Sequence, residues 1–289
     1  MSWLILSILL SSLLFICFKW FDLKKVNLMM AIIGNYISCI ITGLILHHIF
    51  RQYDTKPCGT FHFNMISACM ALGILFFLIF YAMGYASAKI GVGITSASTK
   101  MSLIIPVLFS TFILKEELGL IRLIALLAAL LSVVLMSRNK DEKTNLRDIL
   151  IPFLIFIGSG IIDTSINILQ IETEKRQLSN ETAVTLIFSG ALIISLFLLL
   201  IRNRHLLKDF RSLGFGLLLG IPNYLSIYVM IKALGSGAFS SNQFYMVNNT
   251  GIMLLCFLLG LILFREKINV WKSLGLVLSI ISIYLILYF

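Results

Sequence analysis

The stretch FILKEELGLIRLIALLAALLSVVLMS, residues Phe112–Ser137, decides the fold because its pattern occurs twice in the chain. Its order is an apolar run, a basic–acidic pair, a short turn and a second apolar run. The stretch LILFREKINVWKSLGLVLSIISIYLIL, residues Leu261–Leu287, has the same order. Two copies of one structural unit are typical of membrane transporters. The repeat predicts a first unit at residues 1–136, a polar linker at 137–148 and a second unit at 149–289.

The composition places both units in a membrane. The chain of 289 residues is 59% hydrophobic and 12% charged, with a mean hydropathy of +1.00, whereas soluble domains are about 45–50% apolar and about 25% charged. A helix that crosses a bilayer needs about 20 mostly apolar residues. The sequence supplies ten such runs: Trp3–Phe18, Val26–Leu46, Phe63–Tyr85, Gly91–Leu114, Leu120–Met136, Ile149–Leu169, Thr182–Ile201, Leu213–Leu234, Ala238–Phe264 and Val270–Tyr288.

The basic–acidic pairs fix how the two units relate. Lys115-Glu116 aligns with Arg265-Glu266, and each pair lies between the fourth and fifth apolar runs of its unit. An odd number of crossings makes the second unit enter the membrane from the opposite face. The sequence therefore predicts an all-α membrane protein with ten transmembrane helices arranged as two inverted five-helix repeats.

Several other classes of protein are excluded by the pattern. The connections between runs are too short to form a soluble catalytic domain with its own core, and GxxxxGK[ST] is absent, so ATP is not implied. The five cysteines have no CxxC spacing, and His47-His48 with His62 lack the spacing of metal ligands. We therefore expect no catalytic residues, no metal and no cofactor. The net charge of +10 is spread over the connections, which does not favour a nucleic-acid partner.

The distribution of basic residues predicts an orientation. Fifteen Lys and Arg residues lie in the odd-numbered connections and seven in the even-numbered ones. The positive-inside rule then makes the odd connections cytoplasmic and places both termini outside.

The ten-helix plan, the tyrosine-rich third and eighth helices and the paired Lys115-Glu116 and Arg265-Glu266 signatures resemble the drug/metabolite transporter superfamily, EamA type. The stretch GSGIID in the sixth helix is similar to the glycine–serine start of a repeat in that family, whereas the first helix has Ser11-Ser12 there. The resemblance implies that helices one, three, four, six, eight and nine enclose a central cavity. Four tyrosines of the third and eighth helices would line its walls or serve as aromatic anchors at the membrane interface: Tyr81, Tyr85, Tyr224 and Tyr228. It also implies cytoplasmic termini, opposite to the charge distribution. For Glu116 and Glu266 we expect a structural role, capping a helix end and fixing the turn.

Polar residues within the apolar runs are the candidate site. Ser159, Asp163 and Asn167 recur every four residues in the sixth helix and share one face. A charged side chain at the centre of a bilayer costs about 2.5–3.5 kcal/mol, so this face points into the bundle. The substrate-cavity candidates are Lys100, Asp163, Ser159, Asn167, Thr95, Thr99, Asn223, Asn242, Tyr245, Asn248 and Asn249.

Lys100 and Asp163 have two interpretations. As a structural pair they neutralise each other, because a lone buried charge is costlier than a partnered one. As a substrate site, Lys100 attracts an anionic group. Asp163 is then the proton-coupling candidate, because carboxylates inside transmembrane helices commonly serve as proton relays.

These features predict a secondary transporter, not an enzyme. We expect it to move a small organic metabolite, anionic or zwitterionic and amino-acid-like, by alternating access and in the direction of export. Its partners would be this metabolite, membrane lipid and, as a homodimer, a second copy, in a bacterial-type inner membrane. Two alternatives stay open: a membrane-embedded enzyme acting on a lipid-linked substrate, and a membrane scaffold that transports nothing.

Overall fold

The computed structural model describes residues 2–53, 62–89, 95, 99–137, 146–202, 204–264 and 270–288. Within these residues every regular element is a helix. The ten α-helices are α1 (Ser2–Leu23), α2 (Leu28–Tyr53), α3 (Phe63–Lys89), α4 (Ile104–Phe112), α5 (Leu120–Ser137), α6 (Leu146–Lys175), α7 (Asn180–Arg202), α8 (Phe210–Leu234), α9 (Ser241–Phe264) and α10 (Val270–Tyr288). A short 3-10 helix, Arg204–Lys208, lies between α7 and α8. We call α1–α5 the first half and α6–α10 the second half.

Seven helices in the described parts are long and apolar enough to cross a bilayer, which makes the chain a multi-pass membrane protein. Their spans are Ser2–Leu23, Leu28–Ile49, Phe63–Ala86, Leu150–Lys175, Asn180–Ile201, Phe210–Leu234 and Ser241–Gly260. The other three predicted runs contain shorter apolar segments, Thr99–Phe112, Leu120–Ser132 and Ser273–Leu285. Ten spans therefore stay a prediction. Large apolar side chains are exposed around the bundle, as a lipid-facing surface requires.

The fourth predicted run is broken inside, and Pro106 explains the break. Thr99 and Lys100 are helical, Ser102 and Leu103 form a turn, and α4 begins at Ile104. A proline ring clashes with the carbonyl of the residue four positions earlier, which here is Ser102. The Ser102 carbonyl instead accepts from the backbone N–H of Ile105 at 2.9 Å, so the α-helical hydrogen bonding is interrupted between Met101 and Ile104. Pro222, by contrast, lies inside the continuous helix α8.

The helices pack in matched pairs when the second half is compared with the first. Helix α2 packs against α8, and α7 packs against α3; α1 packs against α9, and α6 packs against α4. If each helix is replaced by its counterpart five positions away in the helix order, the pair α2–α8 becomes α7–α3 and the pair α1–α9 becomes α6–α4. Helices α2 with α7, α4 with α9, and α5 with α10 also pack together, so each of these helices touches its own counterpart.

Glycines allow the closest of these approaches. A Cβ atom added at Gly216 of α8 would collide with the backbone carbonyl of Ala31 in α2. In the matching pair, a Cβ atom at Gly190 of α7 would collide with the carbonyl of Met70 in α3. Small residues of this kind bring membrane helices into backbone contact.

We expect Gly216→Ala to destabilise the protein by about 1–3 kcal/mol, the usual cost of forcing extra atoms into a packed core. Gly214→Ala is the matched control, because nothing lies within 4 Å of a Cβ atom at Gly214 in the same helix. It should leave stability unchanged or raise it slightly, since alanine favours helix over glycine. Thermal unfolding in detergent, followed by size-exclusion chromatography, measures both. Equal unfolding midpoints for the two variants would contradict this close packing of α8 on α2.

A separate contact ties the two halves together at the start of α8, one helical turn before Gly216. Asp209 caps α8 by accepting a hydrogen bond from the backbone N–H of Ser212 at 3.0 Å. Hydrogen bonds from the Ser212 hydroxyl and from this N–H lower the pKa of the Asp209 carboxyl. The Ser212 hydroxyl in turn accepts a hydrogen bond of 2.8 Å from the backbone N–H of Asn27, just before α2. The turn between α1 and α2 is thereby fixed to the start of α8.

Candidate functional site between the two halves

Lys100 and Asp163 are joined through a third residue, Asn249 of α9. The Lys100 ammonium donates to the side-chain oxygen of Asn249 at 3.2 Å. The Asn249 amide nitrogen donates to the Asp163 carboxylate at 3.5 Å. Lys100 belongs to the first half and the other two residues to the second, so this bridge crosses between the halves.

Lys100 is removed from lipid and from bulk solvent. Its side chain is 7% exposed, and its ammonium group lies 5.3 Å from the ring centre of Phe15 in α1. An aromatic face attracts a cation at this distance, more strongly where water is excluded. The site therefore holds a buried cation with an amide, an aromatic ring and the charge of Asp163 around it.

Tyr245 fixes α9 against the same turn of α6. Its hydroxyl donates to the backbone carbonyl of Asp163 at 2.6 Å. Tyr245 and Asn249 are four residues apart and share one face of α9. Both therefore contact α6 at Asp163. Hydrogen bonds thus connect four residues, which we call the central group: Lys100, Asp163, Tyr245 and Asn249.

A second polar network lies where α9 begins. The Glu116 carboxylate accepts hydrogen bonds from the backbone N–H groups of Ser241 at 3.0 Å and of Asn242 at 2.9 Å. The Asn242 side chain donates to the Thr111 hydroxyl at 3.2 Å. The capping role predicted for Glu116 is confirmed, but the helix that it caps belongs to the other half.

Asn167 of α6 joins this network instead of the central group. Its amide nitrogen donates to the Ser110 hydroxyl at 3.3 Å, and its side-chain oxygen accepts from the Ser241 hydroxyl at 3.2 Å. Helices α4, α6 and α9 are therefore linked by side chains near the start of α9. The counterpart of Glu116, Glu266, lies outside the described residues.

Asn223 does not reach either group. It is 3% exposed and donates to the side-chain oxygen of Asn35 in α2 at 3.1 Å. The Cys39 thiol, one turn along α2, donates to the Gly220 carbonyl at 3.2 Å. Asn223 therefore serves the α2–α8 contact, and its predicted place in the cavity with Lys100 is not supported.

The remaining candidates are buried polar residues of the helices that carry the central group. Thr99 donates to the backbone carbonyl of Thr95 in its own helical turn. The hydroxyl of Ser159 and the side-chain oxygen of Asn248 are buried, and within the described residues no hydrogen-bond partner accompanies them. Unsatisfied buried polar atoms are rare in native proteins.

Sequence reasoning missed a buried carboxylate near the start of α7. Glu181 is 7% exposed, and its carboxylate accepts hydrogen bonds from the hydroxyls of Tyr228 at 2.7 Å and Ser179 at 2.8 Å. The Lys232 ammonium lies 3.9 Å away. The Tyr224 hydroxyl donates to the Glu181 backbone carbonyl at 3.0 Å. The tyrosines of α8 predicted to line the cavity instead fix α8 to α7.

Tyr81 and Tyr85 of α3 differ from the tyrosines of α8. They are 40% and 45% exposed, which fits the alternative role of aromatic anchors at the membrane interface.

Among the described residues there is no group of three or more His, Cys, Asp or Glu side chains that could hold a metal ion.

The chain is similar to known proteins over nearly its whole length. An uncharacterized protein of Haemophilus influenzae is 25% identical over 298 residues, which cover 99% of this chain and 97% of that protein. A protein with a solved crystal structure matches with a TM-score of 0.74 and 12% identity, over 99% of this chain and 98% of its own. That likeness shows a shared fold alone. No family model matches this chain.

Proposed function

We propose that this protein is a secondary transporter that moves a small zwitterionic or anionic organic metabolite across the membrane. The observation that carries the proposal is the pair of opposite charges, Lys100 and Asp163, joined through Asn249 between the two halves. Charged residues within transmembrane helices are costly and commonly mark substrate or ion pathways. Here the two charges come from helices of different halves, which is where alternating access needs its binding site.

A substrate would take over the contacts that Asn249 now makes. A carboxylate of the substrate would bind the Lys100 ammonium, and an amino group would bind the Asp163 carboxylate. Both would be hydrogen bonds between two charged groups, whereas each bond to Asn249 has a charge on one side only. The unpaired oxygens of Ser159 and Asn248 supply further polar contacts. An amino-acid-like solute fits this pattern of charges.

The packing supports two inverted repeats of five helices each. A twofold axis relating the halves would map α2 onto α7 and α8 onto α3. It would therefore produce matched pairs such as α2–α8 and α7–α3. If every helix crosses the membrane once, five crossings turn the second half upside down, and the axis lies in the membrane plane. On these grounds we propose that the chain is of the drug/metabolite transporter type that its sequence resembles. A bacterial-type inner membrane and export stay predictions from the sequence.

Counterflow in proteoliposomes tests the function. Vesicles loaded with one unlabelled amino acid or small carboxylate at a time should take up the same radiolabelled solute faster than protein-free vesicles for at least one solute in the panel. A pH gradient should change that rate if Asp163 carries a proton. Conversion of a lipid-linked solute to a new product, detected by mass spectrometry without uptake, would favour the enzyme alternative. The proposal would be contradicted if no solute in the panel were either taken up or converted.

A further inference from the structure

The start of α9 is held by an unusual number of contacts from the first half and from α6. The Glu116 carboxylate accepts from two successive backbone N–H groups, those of Ser241 and Asn242. The side chains of the same two residues bind Asn167 and Thr111. A carboxylate at a helix start is stabilised by the unpaired N–H groups and by the helix dipole. One acidic residue thus fixes both the position and the direction of α9.

The backbone before Glu116 is held in a conformation that lysine rarely adopts. Lys115 has a φ of 57°, in the left-handed region that favours glycine. The backbone N–H of Glu116 donates to the carbonyl of Ser110 at 3.1 Å, which closes the turn after α4. This conformation directs the Glu116 carboxylate toward α9. A left-handed residue is a common way to end a helix, and Lys25 and Gln177 follow α1 and α6 in the same conformation.

The network lies between the central group and one end of the bundle. Ser241 precedes Asn249 by eight residues, about 12 Å along a helix axis. Helices α6 and α9 run in opposite directions between these contacts, because Asn167 contacts Ser241 and Asp163 contacts Asn249. Asn167, one turn after Asp163 on α6, therefore lies toward the start of α9. A solute travelling from the central group toward the start of α9 would therefore have to pass the network of Glu116, Asn167 and Ser241.

We propose that Glu116 is a latch that closes this end of the pathway by holding the start of α9 against α4 and α6. The latch rests on the proposed transport function, because a closed end has a role only in a chain with a pathway. When the two bonds from the N–H groups to Glu116 break, α9 can tilt away from α4. The pathway then opens toward the connection between α6 and α7, residues 176–179, which follows Asn167 at the same end of α6.

Thiol accessibility tests the latch without any substrate. Ser159→Cys is the reporter, because its hydroxyl has no partner among the described residues and lies one helical turn beyond Asp163 as seen from the network. An impermeant thiol reagent is added to the face that labels a cysteine placed at Lys175. The labelling rate of the same protein without the reporter is subtracted as background.

Glu116→Ala should raise the labelling rate of the reporter by about tenfold or more, because losing two charge-assisted hydrogen bonds shifts the population toward the open state. The matched control is Glu117→Ala, which removes the same charge from an exposed neighbour and should leave the rate unchanged. Glu116→Gln, which keeps a single acceptor oxygen, should give an intermediate rate and serves if the alanine variant does not fold. Equal rates for the Glu116 and Glu117 variants would overturn the latch.

A cross-link tests the same closure in the opposite direction. Thr111→Cys combined with Asn242→Cys replaces two side chains in hydrogen-bond contact, and oxidation should lower the reporter's labelling rate, with reversal by a reductant. Unchanged labelling in the oxidised protein would count against the latch. Because these measurements need no solute, the latch can fail while transport is observed, and it can hold although no transported solute is found.

Discussion

Lys100→Met and Asp163→Asn should each lower the initial rate of counterflow by about tenfold to a hundredfold, while the protein still inserts and accumulates. Each change removes one charged contact from the proposed site and leaves the opposite charge buried. A hydrogen bond to a charged group contributes about 1.5–3 kcal/mol, and 1.4 kcal/mol corresponds to tenfold in affinity. We therefore expect a loss of about tenfold to a hundredfold in the initial rate, before the cost of the unpaired partner is added.

The control for this experiment is Lys175→Met, which removes a basic side chain that is 67% exposed. It should leave the rate of counterflow unchanged. Asp163→Asn should also remove any effect of a pH gradient, because the amide does not titrate.

The two interpretations of the pair give different results in the double variant. If Lys100 and Asp163 only stabilise the bundle, each single change lowers the amount of folded protein and the combination of Lys100→Met with Asp163→Asn restores it. If they bind substrate, the double variant folds but does not transport. Unchanged transport in both well-folded single variants would eliminate the proposed substrate site.

Glu181→Ala should give the largest loss of stability among single changes outside the central group. The carboxylate loses two hydrogen bonds from hydroxyl groups, those of Tyr228 and Ser179. Tyr228 is 5% exposed, and the change removes the carboxylate that accepts from its hydroxyl at 2.7 Å. Since each hydrogen bond to a charged group contributes about 1.5–3 kcal/mol, we expect a loss of about 3 kcal/mol or more in the free energy of unfolding.

Glu172→Ala is the matched control for Glu181→Ala. Glu172 also has basic neighbours, Lys175 at 3.7 Å and Arg176 at 3.0 Å, but its side chain is 32% exposed. Ion pairs at the surface contribute about 0–1 kcal/mol, so the unfolding midpoint should barely move. Glu181→Gln, which retains an acceptor for Tyr228, should lie between the two. Equal midpoints for the alanine variants at Glu181 and Glu172 would show that burial of Glu181 contributes nothing.

The helical class of this protein follows from the sequence because it depends on local composition. Runs such as Thr182–Ile201 are apolar over a length that only a membrane helix uses, and α7 occupies Asn180–Arg202. Helix ends were less predictable. The run Gly91–Leu114 contains a turn at Ser102 and Leu103, although the cause of that turn, Pro106, is visible in the sequence.

The candidate site was predicted in part for a similar reason. A charge or an amide in an apolar run is conspicuous, which is why Lys100, Asp163 and Asn249 could be selected. The same criterion applies to Asn35 in α2, but the resemblance that selected the cavity helices omitted α2. Glu181 was missed because it stands beside polar residues at a helix end, where a carboxylate looks solvated. Its burial depends on α8, about 50 residues further along the chain.

The sequence by itself determined that this chain is a bundle of membrane helices with repeated signatures and a few buried polar residues, because hydrophobic length and the cost of a charge in lipid are properties of each segment. Only the tertiary structure decided which polar residues meet. Asn249 bridges Lys100 and Asp163, Asn223 pairs with Asn35, and Glu116 caps a helix of the other half. Hydrogen bonds form over about 3 Å, and the distance between residues far apart in the chain is fixed by helix packing, which no local pattern encodes.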